Sequence, residues 1–185
     1  MISNALLKFA AAHDWHAAED ADYVFGKFNG YCFTAKTEDA LSSYFVPVAG
    51  IAPEDLLDLS KYIEEERFPL KLVDYEMTDN FLSVRAKDTL FNSTAKQIER
   101  FLTKLTAKLE GYDLNPQNCI ICGQAAETES LYVGLYAYTH PECLDKEGVD
   151  YTAGLKNVAD ESAELIILEH DEDSDDILAF ELHHP

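Results

Sequence analysis

Four residues in the second half of the chain constrain its fold more than any other feature: Cys119, Cys122, His140 and Cys143. Two ligands two residues apart can bind one metal ion from a single tight turn, and a second close pair 15–20 residues later completes a tetrahedron. Here the pairs Cys-Ile-Ile-Cys and His-Pro-Glu-Cys are separated by residues 123–139. The spacing therefore predicts one zinc site that uses all four side chains.

Four protein ligands would fill the coordination shell of zinc and leave no position for a water molecule. We therefore expect a structural site rather than a catalytic one, with a net charge of about −1 from three thiolates and one neutral imidazole. The alternatives are a disulfide among these cysteines, or four side chains that are unrelated to one another.

The residues around the four predicted ligands indicate how they are held. Gly123 follows the first pair, where a metal-binding turn needs a positive φ. Residues 131–138 form a β-prone run broken by one glycine, which fits a short hairpin. Thr139 and Glu142 have the spacing of a helix capping box around Pro141. Turn, hairpin and helix in this order resemble the treble-clef zinc fingers, with a zinc ribbon as the neighbouring possibility, and the resemblance implies metal binding only.

Composition restricts the class of partner. The 185 residues contain 35 Asp and Glu against 14 Lys and Arg, a formal net charge of −21, while 47% hydrophobic residues are typical of a globular protein. Such acidity disfavours direct binding to nucleic acid or to an anionic membrane, because phosphate contacts require Lys and Arg. It favours a protein partner with a basic surface.

The cellular location is also predicted from the sequence. The sequence has no run of 18 apolar residues that could span a membrane, and its first residues lack the basic region that precedes the apolar residues of a secretory signal. Three of the four cysteines have metal-ligand spacing, which suits a reducing compartment. We therefore expect a cytoplasmic protein.

Periodicity divides the first 112 residues into a helix, three strands, a helix, two strands and a helix. The Asn29-Gly30 dipeptide between two β-prone runs is the strongest short-range indication of a hairpin. Apolar spacing from Thr94 onward is helical, and Gly111 is placed to end that helix. The predicted helices cover 3–15, 53–66 and 94–111, and the predicted strands cover 22–28, 31–35, 41–48, 70–77 and 81–86.

This order of elements resembles the type III secretion chaperone-like fold, and the resemblance covers roughly residues 1–111. It implies an α+β domain in which an antiparallel sheet packs against helices. It also implies a protein that binds segments of other proteins, and a homodimer as one oligomeric state. The predicted divisions are an α+β domain at 1–112, a zinc-binding module at 115–148 (hereafter the Cys/His module) and an acidic C-terminal extension at 149–185.

The extension contains ten acidic residues after Lys156 and no further Lys or Arg. Two apolar runs, at 165–168 and 177–180, lie on either side of an acidic segment. They predict a last hairpin, with a docked tail as the alternative. The acidity has three interpretations, which are a solubilising tail, a docking surface for a basic protein and a calcium site. The aspartates at 171, 173 and 175 alternate as in an EF-hand, but the glycine and the final glutamate of that loop are missing.

The sequence contains no nucleophile elbow, P-loop, dinucleotide-binding glycine run or metalloprotease helix. Cys32 lies in a predicted strand and is interpreted as a core residue rather than a nucleophile. We therefore expect a non-catalytic cytoplasmic protein-interaction module with a structural zinc site. The alternatives are an acidic nucleic-acid mimic that inhibits a nucleic-acid-binding protein such as a nuclease, and an enzyme with an unrecognised pocket.

Overall fold

The computed structural model describes residues 2–17, 22–87, 94–132 and 134–146, together with the backbone of two strands at 164–168 and 179–183. The described residues contain four helices and ten strands. In chain order they are α1 (Asn4–Ala12), β1 (His16–Ala17), β2 (Tyr23–Phe28), β3 (Tyr31–Glu38), β4 (Leu41–Pro47), α2 (Pro53–Glu66), β5 (Leu72–Met77), β6 (Phe81–Lys87), α3 (Ala95–Glu110), β7 (Thr128–Tyr132), β8 (Leu135–Thr139), α4 (Pro141–Lys146), β9 (Glu164–Leu168) and β10 (Ala179–His183).

The largest sheet has six strands in the order β1-β2-β3-β4-β6-β5, and every neighbouring pair is antiparallel. The predicted α+β class, with an antiparallel sheet and packed helices, is therefore confirmed. The predicted order of elements is also confirmed, with β1 as an addition between α1 and β2. Two residues are too few to produce a periodic pattern, so the sequence gives no indication of β1.

The first hairpin forms at the predicted dipeptide. Asn29 and Gly30 have φ values of 49° and 85°, and Phe28 pairs with Tyr31 across them. Two successive positive φ values are the requirement of a type I′ turn, whose twist matches that of the flanking strands. The Asn-Gly sequence therefore fixes the register of β2 and β3.

Side-chain caps set where the helices begin. Ser3 accepts a hydrogen bond from the amide of Leu6 at the start of α1, and Thr94 forms a reciprocal capping box with Gln97 at the start of α3. The prediction that α1 extends to residue 15 is wrong. The helix ends at Ala12 because the chain leaves helical geometry at Asp14, which has a φ of 55°.

The three long helices cover one face of the sheet. Leu59 and Ile63 of α2 pack there with Leu102 and Leu105 of α3 against Phe33 of the sheet, in a cluster of buried residues that ends at Leu114. All of the members of this cluster come from the first 114 residues. That residues 1–112 fold independently of the rest of the chain stays a prediction.

The opposite face of the sheet is also apolar at its β2–β3 end. Phe25 and Cys32 are buried there in a second cluster, together with Leu131, Tyr136 and other residues of the Cys/His module. Successive residues of a strand point to opposite faces, so one strand can contribute to both clusters. The Cys/His module thus covers sheet surface that the helices do not reach.

Strands β9 and β10 pair antiparallel, with Glu164 opposite His183, and the backbone of β10 lies beside β7. These strands overlap the two apolar runs of the C-terminal extension. The acidic segment at 169–178, which is predicted to connect them, lies outside the described residues. The segment at 147–163 lies outside them as well. Within the part of the chain that the structure describes, no helix is long and apolar enough to cross a membrane.

Candidate metal centre

The four predicted ligand residues converge on one point. The sulfur atoms of Cys119, Cys122 and Cys143 and a ring nitrogen of His140 all lie within 4.8 Å of one another. The first two come from the turn before β7, His140 directly follows β8, and Cys143 lies on α4. These residues form a cluster that can hold a metal ion. The predicted order of turn, hairpin and helix is present.

Backbone hydrogen bonds close the turn that presents the first two thiols. The carbonyl of Cys119 accepts from the amide of Gly123 at 2.8 Å, and the amide of Cys119 donates to the carbonyl of Gln124 at 2.7 Å. Gly123 has a φ of 71°, as predicted from its position after the first pair. A residue with a side chain would be strained in this conformation, so the glycine permits the turn.

His140 is oriented by a hydrogen bond on the far side of its ring. Its Nε2 lies 2.8 Å from the carbonyl oxygen of Ala125. A carbonyl only accepts, so Nε2 carries the hydrogen and Nδ1 keeps its lone pair. That Nδ1 lies 3.4 Å from the sulfur of Cys122 and 3.8 Å from the sulfur of Cys143. A donated hydrogen bond of this kind is typical of metal-binding histidines.

The predicted capping box at Thr139 is wrong. Thr139 is the last residue of β8, and its buried hydroxyl hydrogen-bonds to that of Ser130 at 2.8 Å. Helix α4 begins two residues later at Pro141, and the amide of Cys143 donates to the carbonyl of His140 at 3.0 Å. The i and i+3 relation that brings His140 and Cys143 together is therefore present, although His140 precedes the helix.

The three thiols of the cluster differ in their surroundings. Cys119 and Cys143 are buried and Cys122 is exposed. Burial and the neighbouring thiols raise the pKa of Cys143 to about 12. Burial also raises the pKa of Cys122, but hydrogen bonds from the amide of Gln124 and from the other thiols outweigh it and leave that pKa below its ordinary value. All four cysteines of the chain are free thiols, so the alternative of a disulfide is not realised.

The turn that presents Cys119 and Cys122, the metal-binding turn, packs its backbone against the backbone of the loop between β4 and α2. The side-chain amide of Asn118 donates to the carbonyl of Ala49 at 3.0 Å. Gly50 has a φ of 89°, and a Cβ there would lie 2.7 Å from the carbonyl oxygen of Gly123. Glycine at both positions lets the two segments approach this closely.

A buried ion pair joins the Cys/His module to the sheet. Glu129 of β7 is only 7% exposed, and its carboxylate accepts from the ammonium of Lys27 in β2. The same carboxylate accepts from the hydroxyls of Tyr136 at 2.6 Å and Tyr138 at 3.0 Å. Burial raises the pKa of Glu129, but Lys27 and the two tyrosines outweigh it and leave the pKa below its ordinary value. The carboxylate is therefore ionised and fully satisfied.

Further contacts lie beside this pair. The amide of Tyr136 donates to the hydroxyl of Thr34 in β3 at 2.7 Å. Cys32 is buried next to them, and burial raises the pKa of its thiol well above the ordinary value. A thiol held in its neutral form is a poor nucleophile. Cys32 is a core residue, as interpreted from the sequence.

Sequence reasoning did not identify Lys27 or Glu129. Each is a charged residue in a strand, where such a side chain is ordinarily exposed, and 102 positions separate them. The sequence did contain one indication that this part of the sheet is covered on both faces. Val24 and Phe28 place apolar side chains on one face of β2, and Phe25 places one on the other. A strand of this kind is covered on both sides.

The fold and the cluster define the class of this molecule as an α+β protein with a Cys3His cluster that can hold a metal ion. No protein-family model matches the chain, and no curated protein matches it. Among solved structures the chain is similar to YbjN from E. coli, described as a candidate transcription regulator. The two are 15% identical with a TM-score of 0.34, over 57% of this chain and 84% of YbjN. A similarity this distant carries no argument about function.

Replacing Lys27 with Met should destabilise the folded protein, because it leaves the buried Glu129 carboxylate without its cation. We expect a loss of about 2 kcal/mol in the free energy of unfolding, below the usual cost of breaking a buried pair because Lys27 is 39% exposed and two tyrosines still donate to Glu129. Denaturant unfolding of the metal-loaded chain measures this loss.

The matched control is Lys36→Met, on the neighbouring strand and the same face of the sheet. Lys36 pairs with Glu38 at 3.9 Å, and both side chains are exposed. Exposed pairs contribute little, so the loss should stay within about 0.5 kcal/mol. Equal losses in the two variants would contradict the account of the buried pair.

Proposed function

We propose that this protein is a non-catalytic protein-interaction module in which one Zn²⁺, bound by Cys119, Cys122, His140 and Cys143, fixes the Cys/His module against the sheet. The observation that carries the proposal is the convergence of these four ligand atoms within 4.8 Å of one another. Four protein ligands leave no open position on a tetrahedral ion, so the site stabilises structure and does not activate water.

The chemistry and the spacing of the ligands support zinc. Three soft thiolates and one imidazole are a ligand set typical of structural zinc and unsuited to magnesium or calcium. A tetrahedral ion with bonds of about 2.3 Å to sulfur and about 2.0 Å to nitrogen places a sulfur and a nitrogen about 3.5 Å apart. The two separations from His140 Nδ1, 3.4 and 3.8 Å, agree with that value. Free thiols at this spacing belong in a reducing compartment, so we propose a cytoplasmic location.

The charge of the chain supports a protein partner. A net charge of −21 attracts basic surfaces and repels both nucleic acid and a second copy of the same chain. A partner with a basic surface is therefore the proposal, and a homodimer remains a second expectation. Inhibition of a nucleic-acid-binding protein by mimicry is a special case, in which the basic surface is the partner's own nucleic-acid site.

Elemental analysis of protein purified without chelator should give one zinc per chain. Cys122→Ser should lower that ratio and make residues 119–144 sensitive to protease, because the binding energy of a small metal site is also its folding energy. The matched control is Cys32→Ser, which changes the same residue type outside the set of four ligands. This variant should keep one zinc per chain. Zinc content near zero in freshly reduced wild-type protein would contradict the proposal.

Immobilised, zinc-loaded protein should capture a basic protein from a lysate of its native host. Raising the salt from 0.1 M to 1 M should release it, since the screening length falls from about 10 Å to about 3 Å. Adding DNA or RNA distinguishes nucleic-acid mimicry from binding to another basic surface. Added nucleic acid competes for the partner's nucleic-acid site, so it displaces only a partner that is bound through that site. Retention of no basic protein, with zinc in place, would contradict the interaction function and leave the metal site intact.

A further inference from the structure

Two cavities adjoin on the sheet face that the helices leave uncovered. Their volumes are about 740 and 660 Å³, and both are lined by Lys36, Phe45 and Glu76. Because they share these residues, the two cavities lie side by side over β3, β4, β5 and β6, and together they are called the channel. Pockets for small ligands are commonly about 300–1,000 Å³, so an elongated space of this size suits a longer occupant.

The end of the channel next to the Cys/His module is apolar. Phe45 and Phe81 of the sheet line it from one side, and Ile120, Tyr132 and Leu135 of the module line it from the other. The rings of Phe45 and Phe81 are partly exposed rather than buried in either core cluster. Because three of these residues belong to the module, this end of the channel exists only when the module is docked on the sheet.

The opposite end of the channel is acidic. Arg85 is engaged with Asp74 through two hydrogen bonds, and Lys36 lies 3.9 Å from Glu38. Each cation therefore already has a carboxylate partner. Asp39 also lines this end, Glu76 lies where the two cavities meet, and both side chains are exposed. Two more carboxylates than cations give this end a surplus of negative charge.

The channel follows the direction of the strands. Leu41 and Phe45 line it along β4, and Phe81 and Arg85 line it along β6, each pair four residues apart. At about 3.3 Å per residue this corresponds to about 13 Å of strand. An extended peptide of about four to six residues matches that length.

We propose that this channel binds an extended segment of a partner protein, with apolar side chains against Phe45 and Phe81 and basic side chains against Glu76 and Asp39. The inference rests on the proposed interaction function and specifies the surface that carries it. The protein's own C-terminal extension is a poor occupant, because its ten acidic residues would meet an acidic end. A second copy, also at −21, meets the same repulsion.

The test uses the full, zinc-loaded chain and a fluorescent seven-residue peptide, in which two leucines and a phenylalanine precede a glycine and three basic residues. Fluorescence anisotropy measures its affinity. We expect Phe45→Ser and Glu76→Lys each to weaken binding at least tenfold. The matched control is Glu65→Lys, which makes the same charge change on exposed α2, outside the residues that line the channel. It should change affinity less than twofold.

A companion peptide with glutamates in place of the basic residues should not bind detectably. Zinc content and the unfolding midpoint of each variant establish that it is folded. Removal of the metal should weaken binding of the basic peptide, because the Cys/His module supplies three of the five residues named for the apolar end.

Four outcomes would overturn the proposal that the channel binds a partner segment. The first is no binding of the basic peptide by the wild-type chain, and the second is equal weakening by Glu65→Lys and Glu76→Lys. The third is self-association that Phe45→Ser abolishes, which would make a second copy the occupant. The fourth is equal binding of the captured host protein to Phe45→Ser and to wild type. That result would reject the channel as the binding surface and would still support the interaction function. Failure of both the capture and the peptide would instead reject the interaction function.

Discussion

The structure depends on a sheet that is apolar on both faces at its β2–β3 end. The helices bury Val24 and Phe28 on one side, and that leaves Phe25 and Cys32 to be covered on the other. The Cys/His module covers these residues. A small module buries little apolar surface of its own, so we propose that a metal ion holds it in shape.

The contact between the module and the sheet is polar as well as apolar. Glu129 is buried with Lys27, Tyr136 and Tyr138 around it, and this arrangement gives both oxygens of its carboxylate a hydrogen-bond donor. Buried ion pairs add little to stability compared with apolar contacts, but they disfavour alternative arrangements in which one charge lacks its partner. In this protein the pair fixes the hairpin of the module at one position on the sheet. The channel is then a consequence of where the module stops, since β4, β5 and β6 extend beyond it.

Local features of the sequence predicted most of this architecture. The ligand spacing, the Asn29-Gly30 turn and the helical periodicity after Thr94 each act over a few residues, so they could be interpreted without knowledge of the fold. The pairing of Lys27 with Glu129 could not, because it joins segments 102 positions apart and each charge looks like an ordinary exposed residue in its own strand. The channel could not be predicted from the sequence either, since its lining comes from five strands of the sheet and from the module.

Hydrogen–deuterium exchange before and after metal removal tests the central claim most directly, namely that a metal ion holds the Cys/His module on the second face of the sheet. With metal bound, the amides of the metal-binding turn, of β7 and β8, and of the covered part of β3 should be protected. After chelation, confirmed by elemental analysis, protection should fall in all of these segments while α3 and β4 retain theirs. Unchanged protection of the module in metal-free protein would contradict the account.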